Sequence, residues 1–300
     1  MAGVVALLVA ATVAIWALGR LRPAYDVTEL TLRVRSWWVM VAVFALALLL
    51  SRTVSLVFFG LLSFLALKEY LSLIPVRRAD RRVLLVAYLA IPIQYYWIWD
   101  RWYGLFIIFI PVYIFLLLPI PMILVGDTKG FLKAVGTLHW GLMATVFGVS
   151  HLAYLLVLPE SVNPVAGPAA LLLYLVFLTE FNDVAQFIWG KLLGRHPVVP
   201  TVSPKKTVEG LLGGVATTVA LAVVLAPWLT PFGPREAAGL GLVIALAGFF
   251  GDVVISAVKR DLAIKDSGSL LPGHGGMLDR IDSLTYTAPL FFHIVRYFHT

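Results

Sequence analysis

The sequence predicts an all-α, polytopic integral membrane protein, and three observations carry the prediction. Of its 300 residues, 61% are hydrophobic and only 13% are charged. A soluble domain carries about twice that charged share, so a water-facing surface could not be covered. Apolar runs recur at lengths near the ~20 residues that cross a bilayer as a helix. The basic residues gather in every second connection between those runs. The strict alternation that a membrane barrel requires is absent.

In chain order the apolar segments are 2–19, 36–51, 53–74, 83–98, 104–125, 134–157, 167–190, 210–230, 237–258 and 284–298. The first lacks the positive start and small-residue cleavage site of a secretory signal, so it reads as a retained helix. Several segments are short, which leaves room for one re-entrant stretch and sets the expectation at about nine to ten transmembrane helices. Tyr95, Tyr96, Trp97, Trp99 and Trp102 read as an interfacial aromatic belt. Cysteine is absent, which removes disulfides and thiolate metal sites.

Charge orients the alternation. Arg20, Arg22, Arg33 and Arg35 fall in one connection, and Arg77, Arg78, Arg81 and Arg82 in the next but one. Lys129 and Lys133, then Lys191, Arg195, Lys205 and Lys206, then Lys259, Arg260, Lys265 and Arg280 continue the series. The opposite connections hold only Arg52, Arg101 and Arg235. The positive-inside rule places the first set in the cytoplasm and both termini outside. Topology thus accounts for the net charge of +7, and nucleic acid is not expected as a partner. Composition divides the chain at about residue 160: spans with short connections occupy 1–160, and 161–300 carries two long, motif-like loops.

Three polar stretches stand out against this background. In TEFNDVAQFIWG, 179–190, Asp183, Gln186 and Gly190 share one helix face, with Glu180 and Asn182 nearby. A carboxylate within a span costs roughly 2.5–3.5 kcal/mol on insertion scales and marks a candidate site; the alternative is an idle, solvated Asp183 at the interface. In GFFGDVVISAVKRD, 248–261, Asp252, Ser256 and Lys259 again share a face, with Arg260 beside them. A plain buried ion pair of Asp252 with Lys259 or Arg260 would explain that stretch, but not the loop after it. That loop carries Lys265, Asp266, Asp279, Arg280 and Asp282 together with Gly268, Gly273, Gly275 and Gly276.

Glycines let backbone N–H groups close around an anion, Lys and Arg supply charge for phosphates, and carboxylates with phosphates hold Mg²⁺. The combination points to a metal–polyphosphate site. The other long loop adds Ser203, Lys205, Lys206 and Thr207 before a span, with Glu209 as a capping-box partner. There too a plainer reading stands: Ser203–Pro204 starts the helix and the lysines fix topology. No GxxxxGK[ST], HExxH or GxSxG occurs, which removes P-loop nucleotide sites and the common zinc and serine hydrolases. Of the histidines only His274 lies among polar candidates; His139, His151, His293 and His299 read as packing or interfacial residues, and His196 as solvated.

These residues form a pattern. Ser256-Ala-Val-Lys259-Arg260, Lys265-Asp266-Ser-Gly268 and Leu271-Pro272-Gly-His274-Gly275-Gly276-Met-Leu-Asp279-Arg280-Ile-Asp282 resemble the complete signature of the phosphatidate cytidylyltransferases, the CDP-diacylglycerol synthases. SPKKTVEG, 203–210, resembles a second stretch of that family, and Asn182-Asp183-Val-Ala185 with Gly190 a third, so the likeness covers about 180–290. Earlier spans resemble the family only in their apolar character and in Glu69. One departure is Gln186, where the family commonly has an aromatic residue; this is similar to a divergent bacterial branch.

The resemblance implies cytidylyl transfer from CTP to phosphatidic acid, giving CDP-diacylglycerol and pyrophosphate. It implies Mg²⁺, with a second cation such as K⁺, and Asp183, Asp252, Asp266 and Asp279 as metal ligands. Lys259, Arg260, Lys265 and Arg280 would clamp phosphates. Ser203, Lys205, Lys206 and Thr207, with Ser256, His274, Gly275 and Gly276, would contact substrate. The inner membrane of a bacterium, with the site facing the cytoplasm, and a homodimer are compatible with it. A different lipid phosphate is the nearest alternative substrate. An ion-coupled transporter is disfavoured, because the outer half of the spans offers almost no ionisable residue.

Overall fold

The computed structural model describes residues 2–21, 26–75, 77, 81–268 and 275–300. Long helices dominate: α1 Ala2–Leu21, α2 Thr28–Leu50, α3 Arg52–Leu73, α4 Arg81–Trp99, α5 Tyr103–Leu124, α6 Phe131–Leu155, α7 Pro168–Leu193, α8 Val208–Leu229 and α9 Pro234–Asp261. A short α10, Leu278–Ile281, leads into α11, Leu284–His299. Each expected apolar segment is a helix. Among the described residues 8 helices are long and apolar enough to cross a membrane, and Val5–Leu21 is a shorter apolar one. α5 and α6 each contain a π turn, at Phe109–Ile114 and Met143–Gly148.

Local chemistry sets the ends of the site-bearing helices. α7 opens on Pro168 and carries Lys191 in its last turn. α9 opens on Pro234, with Glu236 accepting from the Gly233 amide at 2.9 Å, and closes on Lys259 and Arg260, which suit the negative end of the helix dipole. The 203–207 stretch departs from the helix start expected at Ser203–Pro204. Ser203–Thr207 is a strand, β2, paired antiparallel with β1, Pro197–Val199. Thr207 caps α8 by accepting from the Gly210 amide at 3.1 Å. Glu209 is no capping-box partner here: it receives the amides of Arg195 (3.0 Å) and His196 (3.3 Å) and the His196 ring (2.6 Å), tying the hairpin to the helix.

Four of the basic connections meet at one end of the bundle. Arg77 donates to the carbonyls of Asp127 and Lys129 at 3.0 and 2.8 Å, and Arg260 to the Val202 carbonyl at 3.2 Å. At the other end Arg52 donates to the Trp99 carbonyl at 2.6 Å, and Asn163 to that of Leu229 at 2.9 Å. That end is richer in ionisable groups than expected. Arg296 lies 3.8 Å above the Tyr103 ring, Tyr154 donates to the Arg101 carbonyl at 3.1 Å, and His151 is buried against Phe106, Phe147 and Phe292. Their partners are backbone carbonyls and ring faces.

α7, α8, α9 and α11 pack most intimately, through small residues and buried polar links, as helices in lipid do. A Cβ on Gly210 would lie 2.8 Å from the Gln186 carbonyl and 3.1 Å from Gly190 Cα, so α7 and α8 touch backbone to backbone. Asn182 joins three helices: its amide donates to the Ala245 carbonyl at 3.2 Å and accepts from Thr218 at 3.1 Å. Asn182→Ala is expected to lose about 1 kcal/mol, the scale of hydrogen bonds between membrane helices. Thermal unfolding in detergent checks this; an unchanged midpoint would deny the link any weight.

Candidate active site

The site is built on the C-terminal end of α9. Helical spacing puts Asp252, Ser256 and Lys259 on one face, and Ser256 Oγ donates to Asp252 Oδ1 at 3.1 Å. Asp252 Oδ2 pairs with Lys206 Nζ at 2.6 Å, both side chains largely buried. Lys206 comes from β2 and lies 4.8 Å above the Phe249 ring. Around this pair is a cavity of about 240 Å³ that includes Asp183, Gln186, Ser203, Lys205 and Thr207 in its lining. Helix face and hairpin loop, far apart in sequence, thus share one phosphate-sized space.

A second cavity, of about 560 Å³, has Asp183 and Asp252 in its wall again. Glu180, Asp279, Arg280 and Asp282 complete its charged side, whereas Leu7, Trp37, Phe177 and Phe181 make an apolar side. One backbone contact brings these carboxylates together: a Cβ on Gly251 would lie 2.6 Å from the Asp282 carbonyl and 3.1 Å from Ser283 Cα. Only glycine lets the α10–α11 junction come so near Asp252. Ser283 Oγ then donates to Asp183 Oδ2 at 2.9 Å, while Asp183 Oδ1 is buried without a partner, as is Arg280 Nε.

Burial, with the nearby Asp252 and Asp183 carboxylates, pushes the Asp282 carboxyl well above the usual range. Among the described residues no three acidic or imidazole groups converge as a closed metal cage. The donors fit a cation that takes one or two carboxylates and fills its remaining positions with phosphate and water, as Mg²⁺ does. The orphaned oxygen of Asp183 is the atom in search of such a partner.

The described ends of the glycine-rich loop are anchored on two carboxylates. Asp279 Oδ1 pairs with Lys259 at 2.7 Å, and Oδ2 receives the Ser267 amide (2.9 Å), the Ser267 hydroxyl (2.8 Å) and the Gly276 amide (3.1 Å). Gly275, at φ 80°, makes the turn over it. Glu69, from the end of α3, holds the start of α10: it receives the amides of Met277 (2.8 Å) and Leu278 (3.0 Å) and contacts Ser267 Oγ. A side chain on Gly276 would run into the Glu69 carboxylate, and one on Gly268 would lie 2.9 Å from it.

Of the expected site residues, Asp183, Ser203, Lys205, Lys206, Thr207, Asp252, Asp279 and Arg280 line one or both cavities. Ser256 and Lys259 touch the aspartates directly. Lys265 and Asp266 are exposed, and neither cavity that holds Asp252 has Asp266 in its lining. Arg260 is exposed and turned to the carbonyls of Val202 and Ile264. Gly275 and Gly276 serve the Asp279 turn; His274 lies outside the described residues.

The comparisons point the same way as this geometry. The model of the cytidylyltransferase family matches residues 31–298. The chain belongs to that family. It is 50% identical over 269 residues to uncharacterized protein YnbB of Escherichia coli (strain K12), covering 90% of this chain and 88% of that protein. It is 45% identical over 107 residues to a phosphatidate cytidylyltransferase of Mycobacterium tuberculosis (strain H37Rv), covering 36% of this chain and 33% of that one. A phosphatidate cytidylyltransferase of Synechocystis is 46% identical over 114 residues, 38% of this chain and 39% of that protein. The likeness to those enzymes thus spans 33% and 39% of their length.

For this cytidylyltransferase-family chain, sequence reasoning passed over Asp282 as a ligand, although it stands in the signature, and met Glu69 only through the resemblance. Nothing local distinguishes an inward Asp282 from an outward Asp266 in so charged a loop. Burial works against the Asp279 carboxylate, but Lys259 and the amides of Ser267 and Gly276 outweigh it and hold its carboxyl below the usual range. A depressed native pKa stabilises fully above the ordinary carboxyl pKa of about 4 and is lost as pH falls through the native value. Lys259→Met removes the hydrogen bond and the charge that oppose burial, the largest single cause, and is expected to reverse the sign. Amide exchange at Ser267 and Gly276 is expected to stay protected below pH ~4 in the wild type and to lose protection above it in the variant. Identical pH profiles would remove Lys259 from the clasp.

Proposed function

We propose that the protein transfers the cytidylyl group of CTP to phosphatidic acid, releasing pyrophosphate and forming CDP-diacylglycerol. One observation carries the reading: two cavities of different character meet at Asp183 and Asp252. The smaller has hydroxyl and ammonium donors suited to a triphosphate. The larger joins Arg280 to an apolar wall from α1, α2 and α7, which suits a phosphate that carries acyl chains. An amphiphilic acceptor and a nucleotide would therefore meet over the same carboxylates.

The lipid phosphate is a monoester with a second pKa of about 6, so it is largely dianionic at neutral pH and requires no general base. One of its oxygens attacks the α-phosphorus of CTP in line; the bond to the β-phosphate oxygen breaks, and pyrophosphate departs with that electron pair. The difficulty is repulsion between two anions, which fixed cations relieve. Lys206 and Lys205 would face the triphosphate from β2, and Arg280 the lipid phosphate. Lys259, locked to Asp279, would hold the loop and add charge behind it. Lys265 and Asp266, on the exposed loop edge, would approach the nucleotide from outside the metal cavity.

The carboxylates that would hold Mg²⁺ are Asp252 and Asp183, with Asp279 and Asp282 beside them; Glu180 leaves one more for a second cation such as K⁺. Bound Mg²⁺ supplies charge neutralisation across the triphosphate and its acceptor. The gathering of basic connections at this end of the bundle supports a site that faces the cytoplasm, where CTP resides, from the inner membrane.

Purified protein is expected to release pyrophosphate from CTP only with both phosphatidic acid and Mg²⁺ present. Asp252→Asn should lower that turnover at least about a hundredfold with an unchanged melting midpoint, the scale expected when a charge-stabilising group is lost. Turnover within tenfold of wild type would remove Asp252 from the centre. Turnover with isoprenoid-type lipid phosphates but none with phosphatidic acid would redirect the acceptor assignment.

A further inference from the structure

The side chain of Gln186 is in a predicament that the fold does not relieve. The residue is 8% exposed, in the second half of α7, and its Nε2 is buried with no hydrogen-bond partner. A buried amide donor left unpaired is costly, and native interiors rarely tolerate one. Its position is nonetheless tightly enforced. Gly210 lies against its backbone carbonyl, and a Cβ on Gly214 would collide with its Cγ. Gly214, one turn on from Gly210 on α8, thus leaves the room that the Gln186 side chain fills.

Gln186 is itself in the lining of the 240 Å³ cavity, whose other polar residues are Ser203, Lys205, Lys206, Thr207, Asp183 and Asp252. The hydroxyls and ammoniums there are donors, and the two carboxylates sit to one side with Ser283 and Lys206 as partners. An amide N–H added to such a wall does not serve a cationic ligand. It suits an acceptor-only, anionic one, and among biological groups a phosphate oxygen fits best.

We propose that Gln186 is a phosphate-contacting residue whose Nε2 donates to a non-bridging oxygen of the nucleoside triphosphate. It adds a neutral, directional donor where the ammonium groups of Lys205 and Lys206 supply undirected charge. This rests on the cytidylyltransferase reading for the identity of the ligand, though not for its polyanionic chemistry. The empty protein holds an unpaired donor so that the bound one is complete, a trade of stability for binding.

Two near-isosteric variants test it, Gln186→Met, which removes the donor, and Gln186→Glu, which replaces it with an acceptor. Calorimetric titration with inorganic tripolyphosphate is read beside titration with CTP and beside melting of the ligand-free protein. Gln186→Met is expected to melt higher than wild type when empty and to bind both tripolyphosphate and CTP about tenfold more weakly. Gln186→Glu should bind more weakly still, because like charges then face one another. In turnover the loss in Gln186→Met should appear in KM for CTP, with kcat within threefold and KM for the lipid unchanged.

Equal tripolyphosphate binding by wild type and Gln186→Met overturns the proposal, and so does tighter binding by Gln186→Glu. A wild type that binds tripolyphosphate but not CTP sinks the cytidylyltransferase reading alone, and the ranking of the variants toward tripolyphosphate still decides the role of Gln186.

Discussion

Repulsion among buried carboxylates is the constraint around which this protein is arranged. Asp183, Asp252, Asp279 and Asp282 line one wall of a single cavity, with Glu180 beside them. Each would be expensive alone in so apolar a bundle, and together they raise one another's cost, as the upward push on Asp282 shows. The chain answers with specific cations: Lys206 on Asp252 and Lys259 on Asp279. Asp183 is left with an oxygen that nothing satisfies. A wall so poised attracts further positive charge, and that demand turns a structural liability into a place for chemistry between anions.

The packing of the C-terminal helices reads as the means of building that wall. Gly251 brings the junction before α11 against α9, and Gly210 brings α8 against α7. Asn182 and Ser283 then spend their hydrogen-bonding groups on neighbouring helices, which fixes where Asp183 points. Helices that approach this closely have little freedom to slide, which fixes how the carboxylates on different helices face one another. Precision at the site comes from small residues and buried amides, both of which are inconspicuous in composition.

Much of this was legible in the chain itself. Low charge and long apolar runs gave the helical membrane class, and basic asymmetry between connections predicted which ends would gather. The 3.6-residue period alone places Asp252, Ser256 and Lys259 on one face. What stayed hidden was whatever depends on contacts distant in sequence. The strand at Ser203–Thr207 has no alternation to announce it and exists because Pro197–Val199 pairs with it. Asp282 and Asp266 sit in one polar loop, and only the close pass of Gly251 turns the first inward. The unpaired amide of Gln186 could not be read either, since a glutamine in a span looks harmless until its Nε2 proves buried with no hydrogen-bond partner.

Glu69 carries a consequence for how the protein can be divided. The most diagnostic residues all lie in the last third of the chain, and a fragment starting there would keep every one of them. Yet the strap that bears Asp279 is fastened to a carboxylate about two hundred positions upstream. Cut away the third helix, and two main-chain amides at the head of the strap lose their buckle in a setting where water is scarce. The motif can therefore be transplanted as letters, but its shape belongs to the whole bundle.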